Sequence, residues 1–385
     1  MNRRHYFDWA ATAVPDEVNP IPFPFGNPSS PYLEGRMARE ALEDARCRCA
    51  AVLGLPPAAL YFTSGGTESN AIVIHSFLLR KTGGRFLYSA VEHPSVRENC
   101  AVLERLGRQT GIISVEADGR VGTENLARSL EKDPGTRFAA IMAVNNETGA
   151  VMDMAAISAE LRRRSGAPVH LHCDMVQAAG KIPINLSGWD IDSAALSAHK
   201  IGGPRGIGLL YLRRNQSPSH RPLETVYSGG GQEGGIRPGT ENTAGALALA
   251  ACLERHGTAE KVHEAYTAAT GRMKKLINGL ASMERCSLIP ADRGEEDKRF
   301  SPWILQAAFD GIPGEVMVRA LDEAGFAIST GSACSSAKLE RPVLTAMGIV
   351  GKKSLEGIRI SQGWSTTDEE IDLLIEAVRG VLKFL

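Results

Sequence analysis

The stretch Ser193-Ala194-Ala195-Leu196-Ser197-Ala198-His199-Lys200-Ile201-Gly202-Gly203-Pro204-Arg205-Gly206-Ile207-Gly208-Leu209-Leu210-Tyr211-Leu212 decides how this chain is read. Its two ends, Ser193–Ser197 and Gly208–Leu212, are apolar runs of strand length. Between them a lysine is framed by Ser-x-His and a glycine-rich turn. Short apolar runs stopped by Gly and Pro predict buried strands, and the loops after strands carry the ligand-contacting groups of α/β folds. A lysine amine attacks carbonyls once desolvated and deprotonated. A solvated lysine is the ordinary case for this residue type. Ser197 and His199, which can donate to an anion, and the tight turn at Gly202 and Gly203 favour covalent chemistry at Lys200 instead.

Reading outward, Arg85–Ser89, Gly111–Ser114, Ala139–Val144 and Val169–Asp174 are further candidate strands. Met37–Leu53, Glu68–Lys81, Pro94–Leu106, Thr123–Glu131, Met154–Arg164 and Thr240–Arg255 carry helical patterns. Alternating strands and helices predict an α/β domain with a mainly parallel sheet. Past a long helix at Thr258–Leu280, Ser301–Phe309 and Ile358–Ser361 read as strands, and Pro313–Ala324 and Thr367–Leu385 as helices. We expect a large domain over residues 15–256 and a small α+β domain formed by 1–14 and 257–385.

Composition narrows the function class. With 385 residues, 43% apolar and 23% charged, the chain has the make-up of a globular protein with a large core. A net charge of −1 gives no global pull toward nucleic acid or an anionic membrane. The run Leu161-Arg162-Arg163-Arg164 is short enough to be a solvated helix end. Seven cysteines without paired spacing fit a reduced, cytoplasmic compartment. Cys47-Arg48-Cys49 is not zinc spacing, and no metal is expected. Residues 1–13 lack the apolar core of a signal peptide, and Thr243–Leu253 is too short to span a bilayer, which needs about 20 residues.

Three more segments carry candidate chemistry. In Phe62-Thr63-Ser64-Gly65-Gly66-Thr67-Glu68-Ser69-Asn70 a strand end meets Gly-Gly and then a helix start near Thr67. Free N–H groups there would hold a phosphate, or Thr67 would simply cap the helix. In His170-Leu171-His172-Cys173-Asp174-Met175-Val176-Gln177, period-2 alternation puts both histidines and Asp174 on one strand face. Asp174 could pair with a protonated ring nitrogen or act as a helix cap, and packing with hydrogen bonding is the expected role of the histidines. Cys334 lies among Gly331, Ser332, Ala333, Ser335 and Ser336, a polar setting that predicts an exposed thiol. An amine, a carboxylate and a thiol together suggest an aldehyde cofactor on one side and a sulfur acceptor on the other.

The ordered set of segments resembles the cysteine desulfurases, the NifS/IscS-like group in the class V aminotransferase family of pyridoxal-phosphate (PLP) enzymes. The resemblance runs nearly end to end. It includes Tyr6-Phe7-Asp8-Trp9-Ala10-Ala11-Thr12, Gly26-Asn27-Pro28-Ser29-Ser30, Thr63–Asn70, Glu92-His93-Pro94-Ser95 and Asn145-Asn146-Glu147-Thr148-Gly149. It continues through Asp174 with Gln177, Ser197–Lys200, Gly229-Gly230-Gly231-Gln232-Glu233, Arg237-Pro238-Gly239-Thr240 and Gly331-Ser332-Ala333-Cys334.

The resemblance implies a PLP-dependent transferase fold of type I with a seven-stranded sheet. It implies that Lys200 holds the cofactor as a Schiff base, Asp174 pairs with the pyridinium nitrogen and Gln177 with the ring oxygen. His93 would stack on the ring with Asn146 beside it, and His93, Lys200 and Cys334 would be the catalytic groups. Gly66, Thr67, Ser197 and His199 would bind the phosphate, with Thr240 reaching in from the other subunit of a homodimer. Arg359 would join Asn146 in binding the substrate, its guanidinium gripping the carboxylate. Cys334 would take sulfur from L-cysteine as a persulfide, leave L-alanine, and deliver the sulfur to an iron–sulfur scaffold or a tRNA-thiolation enzyme. The alternatives are a selenocysteine lyase or other PLP-dependent cysteine lyase, and a non-catalytic sulfur-assembly scaffold. Trp364-Ser365 departs from an Arg-Phe pair common in the family.

Overall fold

The computed structural model describes residues 4–16, 23–80, 83–164, 168–213, 223–331 and 341–385. In chain order the elements begin with β1 (His5–Tyr6), α1 (Leu33–Leu53), β2 (Leu60–Thr63), α2 (Gly66–Ser76), β3 (Arg85–Ser89), α3 (Pro94–Arg105) and β4 (Gln109–Ile113). They continue with α4 (Thr123–Lys132), β5 (Thr136–Ala140), α5 (Met154–Arg164), β6 (His170–Asp174), β7 (Ser193–Ser197), β8 (Gly208–Leu212), α6 (Thr243–His256) and α7 (Ala259–Ala281). The C-terminal part holds β9 (Cys286–Ile289), β10 (Ile304–Phe309), α8 (Gly314–Glu323), β11 (Phe326–Ala327), α9 (Pro342–Ala346), α10 (Lys352–Leu355), β12 (Gly357–Ser361) and α11 (Asp368–Leu382).

A seven-stranded sheet in the order β2-β8-β7-β6-β5-β3-β4 forms the main frame. Its strands pair in parallel from β4 to β7, while β8 runs antiparallel to both β7 and β2. The alternation of side chains divides the sheet cleanly. Leu87, Ala139, Leu209 and Tyr211 point into one apolar core, and Phe86, Tyr88, Phe138, Ala140, Leu210 and Leu212 into another on the opposite face. Away from the edge strand β4 both faces are buried, which is why these strands read as nearly continuous apolar runs. Phe86 and Phe138 stack at 4.1 Å between centroids and lock neighbouring strands together.

A second, antiparallel sheet, β12-β10-β9, packs its own core of Phe7, Leu276, Leu305, Phe309, Leu321, Ile358 and Leu374. Thr367 caps α11 through a reciprocal capping box with Glu370. The N-terminal segment joins this sheet system. β1 pairs in parallel with β11, and Asp8 bridges to Ser361.

Some boundaries differ from the sequence reading. The strand expected over Ala139–Val144 is β5, Thr136–Ala140. Beyond Ala140 the chain still reaches β6, with Ile141 N–H on the His172 carbonyl and Ala143 N–H on that of Asp174. It then folds back at Asn145–Gly149, bridging Val144 to Val151. The helix expected over Glu68–Lys81 starts at Gly66 and ends at Ser76, followed by a tighter turn at Phe77–Leu79. Its N-cap is Gly65, with no side-chain cap, so Thr67 is not the capping residue. Arg162, Arg163 and Arg164 all pair with acids: Asp190 and Asp192, Glu160, and Glu131 with Glu160. Among the described residues, no helix is long and apolar enough to cross a membrane.

Candidate active site

The topology gathers the candidate residues at one edge. β2, β3, β5, β6 and β7 run in one direction, and Gly66, His93, Asn146, Asp174 and Lys200 each follow the C-terminal end of one of them. This is the edge where open α/β sheets bind ligands.

The β2–α2 turn makes an anion cradle. Gly65 has φ 150°, outside the range comfortable for other residues. A Cβ on Gly66 would come within 2.6 Å of Val176. Glycine at both positions lets the backbone N–H groups at the start of α2 face a 490 Å³ cavity. Among the described residues, the N–H groups of Gly66, Thr67 and Glu68 have no hydrogen-bond partner. Ser64, Ser197, His199 and Arg205 also line the cavity. Glu68, the acid on its rim, is engaged by the Ser64 N–H and by Arg237. Burial pushes the His199 pKa down to about 4, so it donates or accepts as a neutral ring. Thr240 is exposed and is not among the residues lining this cavity.

Asp174 does two jobs at once. One oxygen accepts from the Val176 N–H at 3.0 Å, closing a turn where the structure has no helix to cap, and the other from Asn70 Nδ2 at 2.8 Å. Asn70 also touches Ser95 Oγ, and Ser95 Oγ touches His93 Nδ1. His172 bridges Asn70 Oδ1 and Ser193 Oγ, and His170 reaches the same Ser193. Both histidines therefore serve packing and hydrogen bonding. Among the described residues, no group of three or more His, Cys, Asp or Glu side chains could hold a metal ion.

Burial, with His170 beside it, pushes the His172 pKa down to about 3. An unfolded chain protonates this residue near pH 6.5, so its contribution to stability is full above about pH 6.5 and falls as pH drops toward the folded value. The slope is about 1.4 kcal/mol per pH unit in that window. We expect the urea midpoint to drop between pH 7 and pH 5, and His172→Gln to flatten that drop. An unchanged drop in His172→Gln assigns the acid sensitivity to other groups.

Lys200 sits in the short turn after β7. Its Nζ donates to the carbonyls of Ala10 at 2.6 Å and Ala11 at 2.8 Å. Gln177 Nε2 donates to the same Ala10 carbonyl at 2.9 Å. Thr12 meets His199 Nδ1 at 3.2 Å, and Asp8 pairs with Arg359 at 2.6 Å. The five residues Asp8–Thr12 thus touch Lys200, Gln177, His199 and Arg359. Arg359 is 3% exposed and also donates to the Asn146 carbonyl at 2.9 Å, while its Nε has no partner among the described residues. Cys334 lies outside the described residues.

The structure adds residues that the sequence reading left without a role. Lys181, fully buried, donates to Gln177 Oε1 at 2.9 Å, and burial lowers its pKa to about 7. Asp8, Asn70 and Ser95 stand inside the quoted motifs, so their positions were visible but their contacts were not. Arg205 had no signal beyond its place in the glycine-rich turn.

Residues 6–374 match the family described as Aminotransferase class-V. The chain belongs to the class-V aminotransferase family. It is 38% identical over 364 residues to a NifS/IcsS protein homolog of Lactobacillus delbrueckii subsp. bulgaricus, covering 92% of this chain and 89% of that one. It is 33% identical over 399 aligned residues to cysteine desulfurase IscS of Dictyoglomus turgidum, covering 100% of this chain and 96% of the relative. A solved NifS-like protein superposes with a TM-score of 0.88 at 30% identity, covering 99% of this chain and 100% of that one. The chain is therefore a homologue of cysteine desulfurases within a PLP-dependent enzyme family.

Proposed function

We propose that this chain is a cysteine desulfurase that moves sulfur from L-cysteine onto Cys334 and releases L-alanine. The observation that carries this reading is the convergence of Lys200, Gln177, His199 and Arg359 on the N-terminal segment Asp8–Thr12. An amine, an amide, an imidazole beside the anion cradle and a guanidinium suited to a carboxylate would then surround one space.

The donor set fits PLP. Three unpartnered N–H groups at a helix N-terminus suit a phosphate, and Gly66, Thr67, Ser197 and His199 would hold it. Asp174 is a buried carboxylate at a strand end, suited to keep a pyridine nitrogen protonated. When bound, PLP supplies an electron-withdrawing ring that lets an amino acid lose its α-proton and release its side-chain sulfur.

Lys200 would attach the cofactor and, once displaced by the substrate amine, carry the α-proton as base and then acid. Gln177 Nε2 keeps a second N–H for the ring oxygen, since Lys181 fixes Oε1 on the other side. His93 offers a flat face, with Asn146 beside it. Arg359 Nη2 is held by Asp8 and its Nε has no partner among the described residues, so a substrate carboxylate would take this edge of the guanidinium by displacing Asp8. The Cys334 thiolate would attack the substrate sulfur. The Cβ–Sγ bond breaks, an S–S bond forms, and Cβ takes a proton to give alanine. Thr240, exposed on its own chain, would complete the phosphate site of a second copy in a homodimer. An iron–sulfur scaffold or a thiolation enzyme would then take the sulfur.

Mass spectrometry of the PLP-loaded protein after L-cysteine tests this. One added sulfur on Cys334 and released alanine are expected, and Cys334→Ser should lose both while keeping the cofactor absorbance. Pyruvate in place of alanine would point to a β-eliminating lyase. Undiminished sulfur transfer by Cys334→Ser would overturn the reading.

A further inference from the structure

One buried amide ties His93 to Asp174. Asn70, on α2, is fully buried. Its Nδ2 lies 2.8 Å from Asp174 Oδ2 and 2.8 Å from Ser95 Oγ, and its Oδ1 lies 2.8 Å from His172 Nε2. An ionised carboxylate only accepts, so the amide nitrogen must be the atom that faces Asp174. That nitrogen has two protons, one for Asp174 and one for Ser95 Oγ. Having accepted there, Ser95 Oγ directs its own proton to its other neighbour, His93 Nδ1, at 2.8 Å. The Ser95 backbone N–H reaches the same Nδ1 at 3.1 Å. With two donors aimed at it, Nδ1 is an acceptor. A neutral imidazole then carries its proton on Nε2.

We propose that Asn70 and Ser95 are positioning residues that hold His93 as a neutral imidazole protonated on Nε2, so that His93 meets the reacting groups as a hydrogen-bond donor and not as a base.

The far end of the network agrees. With Asn70 Oδ1 as acceptor, His172 donates from Nε2 and accepts at Nδ1 from Ser193 Oγ, 2.8 Å away. Ser193 Oγ then accepts from His170 Nε2 at 2.7 Å. Turning the Asn70 amide over would set its oxygen against the Asp174 carboxylate, so the polarity of the chain is fixed. The charged groups around His93 are Asp174, Lys200 and Arg97. Burial is the largest influence, Lys200 and Arg97 add to it, Asp174 opposes, and the net direction of the pKa is down. Among the described residues, Nε2 has no partner, which leaves its proton for a bound molecule. The α-proton then falls to Lys200 alone.

What His93 meets rests on the proposed function, whereas its tautomer rests on the network. Labelling the histidines of the PLP-loaded enzyme with ¹⁵N separates the two. His93 is assigned by the signal lost in His93→Asn. The parent should show the Nε2-protonated tautomer. In Ser95→Ala the titration midpoint of His93 should move to higher pH, because one donor opposing protonation of Nδ1 is gone. Turnover should fall by roughly 2–12-fold, the worth of one hydrogen bond, with KM for L-cysteine held within about twofold if ground-state binding is untouched. Ser95→Thr, which keeps the hydroxyl, should restore the parental titration. A parental His93 with its proton on Nδ1 overturns the proposal whatever the variants do. So does a Ser95→Ala midpoint equal to the parent's in protein that retains the cofactor band. A parent that takes up no PLP would instead defeat the functional reading, and the tautomer would still be readable.

Discussion

Lys200→Ala is expected to abolish covalent attachment of the cofactor and to lower turnover by roughly 10²–10⁴-fold, the usual worth of a positioned acid–base group. The Lys200 amine is the nitrogen at the strand edge that is aimed across the site, held by the carbonyls of Ala10 and Ala11. Lys181 is too deep to substitute for it, being fully buried and bonded to Gln177. Borohydride treatment gives a direct readout. The parent should gain the mass of the reduced cofactor irreversibly, and Lys200→Ala should gain none. Because the lost side chain is tied to the N-terminal segment through two backbone carbonyls and lies outside the apolar cores, the urea midpoint should move far less than activity. A variant that still fixes cofactor under borohydride, or keeps more than about a tenth of parental turnover, would remove Lys200 from its role.

Glu233→Gln carries the largest expected effect on stability. Arg46 and Glu233 are each 7% exposed and meet in a two-point clasp at 2.8 Å and 2.6 Å. Arg46 also donates to the Leu60 carbonyl at 2.9 Å, and Glu233 accepts from the Phe62 N–H at 2.7 Å. The pair therefore staples α1 and β2 to the glycine-rich segment around residue 233. Removing the carboxylate leaves a guanidinium buried without its counter-charge, and breaking such a pair typically costs about 3–5 kcal/mol. Glu43, which also pairs with Arg46, has its side chain 54% exposed and compensates little. The urea midpoint should fall accordingly, and the double variant Arg46→Met with Glu233→Met should recover much of the loss. A Glu233→Gln curve that overlays the parent's would show that the pair contributes nothing. Since β2 leads directly into Gly65 and Gly66, phosphate binding should weaken alongside.

The parts of the fold that could be read in advance share a cause. β3, β7 and β8 fall at the residues expected because each is an apolar run closed by Gly, Pro or a polar turn and buried on both faces. β5 was placed late because the chain stays extended past Ala140 and still bonds β6, so the apolar pattern outlasts the ladder. β1 and β11 have two residues each and exist through each other's backbone, which leaves no periodicity to find.

The site divides in the same way. Lys200, Asp174, Gln177 and Gly66 could be named as candidates because they stand just past apolar runs and inside ordered motifs, where an amine, a carboxylate, an amide and a bare backbone suit ligand contact. The Ala10 and Ala11 carbonyls were not, since every residue carries one and only folding decides which is used. Lys181 hid for the opposite reason. A lysine four places after Gln177 looks like a solvated helix face, and only the packing around it shows an interior amine.

The pairing of Asp8 with Arg359 spans 351 positions of the chain. A ribosome adding about 5–20 residues per second makes the first of these residues on the order of 20–70 s before the second. Throughout that interval the nascent N-terminus has neither Arg359 nor Ser361 to join. The main sheet can assemble during synthesis, but the mouth of the enzyme cannot be completed until Arg359 and Ser361 have been made.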